Sequence, residues 1–427
     1  MRQVLSREEI YPKIYFNSFV DQKYKSNRLS VNMFMPLEYS TVSDFALLSG
    51  VIAKSCEKWN SLLKLNTALS ELYGAHLSSD VLKIGEMQSV TVHIKFISSK
   101  YTLYNEDVCK QALNILFEIL LNPNINDNGF DENEVSIEKD RLVELIESEI
   151  NDKRRYAVTN CLKNMCKDEP YSIPKYGYKD RVEQITATRL YESYLNILKK
   201  SKIEVFFVGS DDPVRIKDEV KDKFSSVKRN PIDKMVTIVN DKTRAVSDIC
   251  ETMDISQSKL VMGFKAGKVK TVEENIVMMM AMLIYGISPN SKLFLNVRER
   301  LSLCYYCSVH YDKYKSIIVV DSGIEHDKKD ETVSEILSQL EKMKNGDFTD
   351  DDIQSALMFY VNSYKSLYDS AGTVESFYLS NVISNSHLTP EEIIELAKKV
   401  SREDIMKICA DIHLDTIYFL TGDNKCK

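Results

Sequence analysis

Paired histidines are the first thing that this sequence lacks. Its 427 residues include only six histidines, and no two of them have H-x-x-x-H or H-E-x-x-H spacing. A zinc site built on one helix needs two ligands about one turn apart, so the sequence argues against an autonomous zinc hydrolase. Thirteen glycines, without a G-x-S-x-G, P-loop or G-x-G-x-x-G motif, also argue against a glycine-lined nucleotide site.

Long apolar runs and an excess of positive charge are missing as well. No stretch approaches ~18 consecutive apolar residues, and the N-terminal MRQVLSREEIYPK lacks the apolar segment of a signal peptide. We therefore expect neither a membrane-spanning nor a secreted protein. A net charge of -7 and a pI of about 5.6 argue against a nucleic-acid partner.

Nine cysteines in a chain without an export signal predict reduced thiols and a cytoplasmic location. Cys304 and Cys307 form the only C-x-x-C. Strand alternation would point these two thiols to opposite faces, which favours separate cysteines over a metal or redox site.

Features that are present indicate an internal duplication. Tyr73-Gly74 and Tyr285-Gly286 each follow a helical pattern and are 212 residues apart. The same offset relates two buried-looking strands that end on an acidic turn, Val205–Asp212 and Ile417–Asn424. Since this offset is close to half the chain, it predicts a tandem repeat of one ~210-residue domain.

Each half has the pattern of an opening strand, two helices, two strands, further helices and a final strand. Segregated strands and helices predict an α+β fold, with a mostly antiparallel sheet packed against helices in each domain. We predict an N-terminal domain over residues 1–224, a linker over 225–241 that contains Pro231, and a C-terminal domain over 242–427.

The segment Val90–Phe96 alternates apolar and polar residues, as a half-buried antiparallel strand does. His93 lies on its polar side and is expected to be a surface histidine. A strand at a sheet edge can bind an extended peptide through main-chain hydrogen bonds. The sequence leaves the position of this strand open, with an interior position favoured.

The segment Leu293–Tyr306, LFLNVRERLSLCYY, reads as the end of a helix followed by a strand. It separates Arg298 and Tyr305 by seven residues. A guanidinium and a phenol on rigid elements can donate hydrogen bonds to a carbonyl oxygen that gains charge during acyl transfer. The alternative is that Arg298 belongs to an exposed cluster with Glu299 and Arg300, and that Tyr305 is a core residue.

The segment R-E-x-x-x-L-x-Y resembles one found in the pitrilysin-type zinc peptidase family, and the two-repeat layout is similar to that family over the whole chain. More narrowly, the chain resembles the silent member of a bacterial pair associated with 5-aminopentanol modification of elongation factor P. The stretches that carry this likeness are LNTALSELYGAHLSSDVLKIGE (Leu65–Glu86), YAV (Tyr156–Val158) and DEPYS (Asp168–Ser172) followed by GYKD.

Active members of the family hold zinc with H-x-x-E-H on the first long helix and a glutamate on a later helix. Alignment on Val51–Ser55 puts Ala46, Ser49 and Gly50 at the motif positions and Glu149 at the third ligand position. Alanine and glycine offer no ligand, so the resemblance implies no metal and no other cofactor, and Glu149 is expected to be structural.

The resemblance implies that Arg298 and Tyr305 reach across a chamber to a substrate carbonyl beside the zinc of a partner. We therefore expect a non-catalytic subunit that pairs with a zinc-bearing homologue as a heterodimer, or else forms a homodimer, and that acts on a peptide or small protein. Leu301-Ser302 replaces the family's frequent basic-Gly step. The alternatives are a purely structural or peptide-binding module and, least favoured, an independent peptidase.

Overall fold

The same order of strands and helices occurs twice along the chain. The computed structural model describes residues 5–126, 129–242, 244–267, 269 and 271–422. The elements of the first half are β1 (Ser6–Tyr11), β2 (Ile14–Val20), β3 (Ser26–Pro36), α1 (Val42–Val51), α2 (Leu62–Glu71), β4 (His76–Ile84), β5 (Met87–Ile97), α3 (Val108–Leu121), β6 (Ile125–Asn126), β7 (Gly129–Phe130), α4 (Glu132–Ser148), α5 (Lys153–Met165), α6 (Lys179–Glu183), α7 (Ala187–Lys200), β8 (Lys202–Gly209) and α8 (Pro213–Phe224).

The second half repeats this order with fewer elements. They are β9 (Ser247–Thr252), β10 (Ser258–Lys265), α9 (Val272–Met282), β11 (Cys304–Asp312), β12 (Ile317–Ile324), α10 (Lys329–Lys344), α11 (Asp350–Lys365), α12 (Ala371–Ile383), α13 (Pro390–Ala397), α14 (Arg402–Ala410) and β13 (His413–Thr421). Two π-helical segments, Leu283–Ile287 and Phe294–Arg300, lie between α9 and β11.

The two main sheets have the same topology over five strands, and β1 is an additional edge strand of the first. The first has the order β1-β2-β8-β3-β5-β4 and the second β9-β13-β10-β12-β11. The pairs β2–β8 and β9–β13 are parallel, and the other pairs in both sheets are antiparallel. The predicted α+β fold with a tandem duplication is therefore confirmed. Strand β5, which contains the candidate edge segment Val90–Phe96, is interior, and the edge beside it is β4.

One of the two matches that indicated the duplication does not join equivalent positions. Tyr73-Gly74 follows α2 and has positive φ angles of 55° and 68°. Tyr285-Gly286 lies in the π-helical continuation of α9, which is the counterpart of α1. The strand match does join counterparts, β8 and β13, although Asp423 and Asn424 lie outside the described residues.

The chain forms two compact units that alternate along the sequence. Unit 1 comprises Met1–Glu147, Ile173–Val236 and Tyr368–Ile383, and unit 2 comprises Ser148–Ser172, Thr237–Leu367 and Ser384–Lys427. The boundary between Val236 and Thr237 lies within the segment 225–241. Unit 1 contains α12 from the second half of the sequence, and unit 2 contains α5 from the first half. Both helices follow the long helix of their own half, so each half contributes the equivalent helix to the other unit.

In unit 1, α12 packs on β3 and β8. Strand β8 needs cover on both faces, since Val205 and Phe207 lie in the main core while Phe206 on the other face is also buried. On α12, Glu375 accepts hydrogen bonds from the Arg28 guanidinium and the Ser30 hydroxyl of β3. The Glu375 carboxylate is therefore buried with its partners in place.

In unit 2, α5 packs on the central strand β10. Its Cys161 and Met165 belong to a core cluster with Val261 and Tyr418. Gly263 permits this close approach, because a Cβ atom there would lie only 2.8 Å from the Met165 sulfur. Amphipathic helices thus cover both sheets with residues from the opposite half of the sequence.

Seven cysteines are buried free thiols, and Cys250 is disulfide-bonded. The expectation of reduced thiols therefore fails at Cys250. None of the helices in the described ranges is long and apolar enough to cross a membrane.

Replacement of Glu375 by alanine should destabilise the protein, because it leaves the Arg28 guanidinium and the Ser30 hydroxyl without their acceptor. We expect a loss of about 2–4 kcal/mol in the free energy of unfolding, measured by urea denaturation. Glu403→Ala on the exposed side of α14 is the matched control and should change stability by less than ~0.5 kcal/mol. Equal effects of the two substitutions would show that Glu375 does not anchor α12.

Candidate functional site

Helix α1 supplies one wall of a cavity in unit 1. Ala46 is buried, and the Ser49 hydroxyl donates a hydrogen bond to the Ala46 carbonyl at 2.8 Å. These two residues and Gly50 line a cavity of about 370 Å³, whose other walls include Ser78–Val81 of the edge strand β4 and part of α4. Three of the four positions that the resemblance aligns with the zinc ligands and base are therefore together in one cavity.

A buried glutamate of α4 faces these positions. Glu138 is only 7% exposed and lines the cavity. Its Oε1 lies 2.9 Å from the Lys54 ammonium, and its Oε2 lies 3.8 Å from the Arg141 guanidinium. A Cβ atom on Gly50 would lie 2.7 Å from Oε2 of Glu138. The carboxylate thus lies directly against the motif helix.

Glu149, the glutamate aligned with the third ligand position, belongs to unit 2, where its carboxylate lies 4.0 Å from the Arg155 guanidinium. The glutamate beside Gly50 is Glu138, which the sequence interpretation did not single out. A signal was available, since the buried residues of α4 are Val135, Glu138 and Leu142, so that one charged residue interrupts an apolar helical stripe.

The residues in this cavity do not fit a zinc ion. Catalytic zinc requires three protein ligands. Ala46 and Gly50 have no donor atom, the Ser49 hydroxyl is bonded within its own helix, and Glu138 is paired with an ammonium group. Within the described ranges, no group of three or more His, Cys, Asp or Glu side chains is arranged to hold a metal ion.

His93 on β5 is half-buried, so the expectation of a surface histidine is wrong. Its Nε2 lies 3.0 Å from the hydroxyl of Ser78 on β4. Burial lowers the pKa of His93 to about 4, with smaller contributions from the charges of Arg28 and His76. His93 lies opposite Ser30 of β3, and therefore on the face of the sheet where α12 bonds that serine.

Arg298 lies in the last turn of the π-helical segment Phe294–Arg300 and is exposed. Its Nε is 3.5 Å from the Glu299 carboxylate, and its guanidinium carbon is 4.8 Å from the centre of the Phe294 ring. Both partners belong to the same short segment, so the guanidinium is held locally.

Tyr305 is the extra residue of a β-bulge on the edge strand β11. Cys304 pairs with Ile324 and Tyr306 with Gly323, which leaves Tyr305 between two consecutive partners. The side chain is 61% exposed, and its hydroxyl donates to the Glu325 carboxylate at 2.5 Å. This hydrogen bond raises the pKa of Tyr305. The alternative of a core tyrosine is therefore wrong.

The same bulge changes the arrangement of the two neighbouring thiols. Because the alternation of side chains skips a residue, Cys304 and Cys307 pair with Ile324 and Ser322, which lie on one face of β12. The expectation of opposite faces is thus wrong. A hydrogen bond with Cys307 lowers the pKa of Cys304, and the positive charge of Arg298 acts in the same direction. Arg298 therefore lies near the bulge that presents Tyr305.

The turn before β11 retains a backbone conformation that favours glycine. Ser302 has a φ angle of 48°. A left-handed conformation costs a non-glycine residue roughly 1–2 kcal/mol. The Leu301-Ser302 step thus changes the residues of the turn, while Ser302 accepts a conformation that glycine adopts without strain.

Comparisons with known proteins found a family model, related sequences and solved structures that are similar to this chain. The model of the "Peptidase M16 inactive domain" matches residues 184–359. A Bacillus subtilis (strain 168) protein described as "Probable inactive metalloprotease YmfF" is 29% identical over 401 residues, which cover 94% of each chain. The crystal structure of a conserved protein from Enterococcus faecalis V583 is 25% identical and superimposes with a TM-score of 0.91 over 99% of this chain and 100% of that one. A structure from Pseudomonas fluorescens, described as a peptidase M16 inactive domain, shares the fold at 12% identity, with a TM-score of 0.82 over 99% of each chain.

The stability of the protein should fall as the pH drops from 6.5 to about 4, because of His93. In this window the unfolded chain binds a proton at this histidine that the folded chain excludes. We expect His93→Gln to remove up to about 2 kcal/mol of the difference in unfolding free energy between pH 7 and pH 4.5. Urea denaturation at the two pH values measures this difference, and an unchanged difference in the variant would contradict the assignment.

Ser302→Gly should stabilise the protein by about 0.5–1 kcal/mol, since the positive φ angle suits glycine. Ser308→Gly in the middle of β11 is the control and should destabilise, because glycine weakens a strand interior. Differential scanning calorimetry gives the sign of both effects. A lower melting temperature for Ser302→Gly would contradict the left-handed turn.

Proposed function

Since this chain is an inactive homologue of the M16 (pitrilysin-family) metallopeptidases, we propose that it serves as a non-catalytic subunit beside a zinc-bearing homologue. In this role Arg298 and Tyr305 donate hydrogen bonds to the scissile carbonyl oxygen in the partner's site. The partner supplies the zinc and the general base, and the substrate is a peptide or small protein.

The exposure of Tyr305 at the β11 bulge is the observation that carries this proposal. A bulge re-aims a side chain, and bulges are frequent beside active sites. The phenol is presented outward, and Arg298 lies close to the same end of the strand. Carboxylates of the chain itself, Glu299 and Glu325, hold both donors. A carbonyl oxygen that gains negative charge would replace these exposed carboxylates as the acceptor of the hydrogen bonds from Arg298 and Tyr305.

The edge strand β4 supports a peptide substrate. Its residues Ser78–Val81 line the cavity beside α1, at the end of the first sheet. An extended peptide can add to such an edge through main-chain hydrogen bonds, which require no particular side chains. The cavity beside the edge then accepts a side chain of the bound peptide.

The narrower assignment, to a cytoplasmic pair that acts in elongation factor P modification, rests on the resemblance of Leu65–Glu86 and Asp168–Ser172 to that bacterial family. It predicts that the zinc-bearing partner has an H-x-x-E-H motif and a similar chain length.

Co-expression with a zinc-bearing homologue tests the proposed role of the pair. In the resulting complex, Arg298→Ala and Tyr305→Phe should each lower kcat/KM by about 10²–10³-fold, because each removes a donor to the oxyanion. Arg300→Ala is the matched control, since this neighbouring arginine pairs with Glu335 at 3.3 Å. It should leave kcat/KM unchanged.

The other outcomes separate the alternatives. A stable complex in which all three variants keep full activity would leave a structural role in assembly or peptide binding. Stoichiometric zinc and peptide cleavage by the purified chain alone would contradict the proposal and indicate an independent peptidase.

A further inference from the structure

The cavity beside α1 contains a positive charge that belongs to the chain itself. We propose that the Lys54 ammonium provides the positive charge in this cavity that a metal cation would otherwise supply, so that it neutralises the buried Glu138 carboxylate and opposes zinc binding. The inference requires the kinship with M16 peptidases but not the proposed partnership.

The burial of Glu138 creates the need for a counter-charge. A carboxylate that is 7% exposed keeps its charge only if a cation or several donors compensate for the lost hydration. Lys54 provides this compensation at 2.9 Å, and its own side chain is 24% exposed. The guanidinium of Arg141 is more distant, at 3.8 Å, and its side chain is 71% exposed. Lys54 is therefore the principal counter-charge.

Lys54 is positioned by the turn at the end of α1. Lys54 lies in the turn that continues α1, four residues after Gly50, so that both residues face α4. The next residue, Ser55, donates to the Glu134 carboxylate at 2.8 Å, and burial raises the pKa of Glu134. The end of α1 thus holds two glutamates of α4, one with an ammonium group and one with a hydroxyl.

The Glu138 carboxylate occupies the space next to Gly50. Oε1 of Glu138 faces Lys54, and Oε2 would lie 2.7 Å from a Cβ atom on residue 50. Real Cβ atoms do not approach an oxygen so closely, so any side chain at this position must displace the carboxylate. A histidine at position 50 therefore requires the end of the Glu138 side chain to move from its present position.

The charge of Lys54 also opposes the binding of a metal ion. A divalent cation bound to Glu138 would lie within a few ångströms of the Lys54 ammonium, and the two positive charges would repel each other in a partly dehydrated cavity. Removal of the lysine should consequently strengthen metal binding once ligands have been introduced.

Zinc binding to the full-length chain tests the proposal. The variant Ala46→His/Gly50→His keeps Lys54, and a second variant adds Lys54→Met to the same two substitutions. We expect about one zinc per chain, with an affinity at least ~10-fold higher, for the variant without the lysine. Equal zinc affinity of the two variants, measured by competition with a chromophoric chelator, would overturn the proposal.

A double-mutant cycle in the native background keeps the test decisive if the histidine variants do not fold. Lys54→Met should lower Tm by about 2–5 °C, because Glu138 is left without its counter-charge. Glu138→Gln in the same chain should restore most of this loss, since the neutral amide needs no cation. Lys64→Met on the exposed side of α2 is the matched control and should not change Tm.

Additive effects of Lys54→Met and Glu138→Gln would overturn the proposal. Because both experiments use the isolated full-length chain, their failure is distinguishable from a failure of the proposed function, which is measured in the complex.

Discussion

The central strands of both sheets are buried on both faces, and this double-sided burial is the constraint on which the rest of the structure depends. Strand β8 places Val205 and Phe207 in the main core, while Phe206 is buried on the opposite face. A single layer of helices cannot cover such a strand, so each sheet needs a second helical layer. That layer includes α12 in unit 1 and α5 in unit 2, each from the opposite half of the sequence. The edge strands are β1 and β4 in the first sheet and β9 and β11 in the second.

Local patterns in the sequence predict most of the order of strands and helices. Alternation in Val90–Phe96 and the helical pattern around Arg298 are short-range features, and the structure contains a strand and a helical segment there. The exchange of α5 and α12 between the two units could not be predicted from such patterns. An apolar helix face indicates that a helix is buried but not which sheet it covers. The pattern of β5 likewise does not show that the face which carries His93 and Ser30 is the one near α12.

The candidate site shows the same division. The likeness to a known family placed Ala46, Ser49 and Gly50 on one helix face, and they line one cavity. Burial along a helix depends on register, so the sequence alone did not single out Glu138, the glutamate that lies beside Gly50. The bulge at Tyr305 is equally invisible in the sequence, because an inserted residue leaves the apolar pattern of a short strand unchanged. It presents Tyr305 outward, against the alternative of a core tyrosine, and brings two thiols to one face.

The contact at Gly50 also couples two neighbouring positions of the chain. Any side chain at position 50 requires the Glu138 carboxylate to shift, and loss of Lys54 leaves that carboxylate without its nearer cation. Substitutions at positions 50 and 54 should therefore act non-additively on stability, since both act on the same carboxylate.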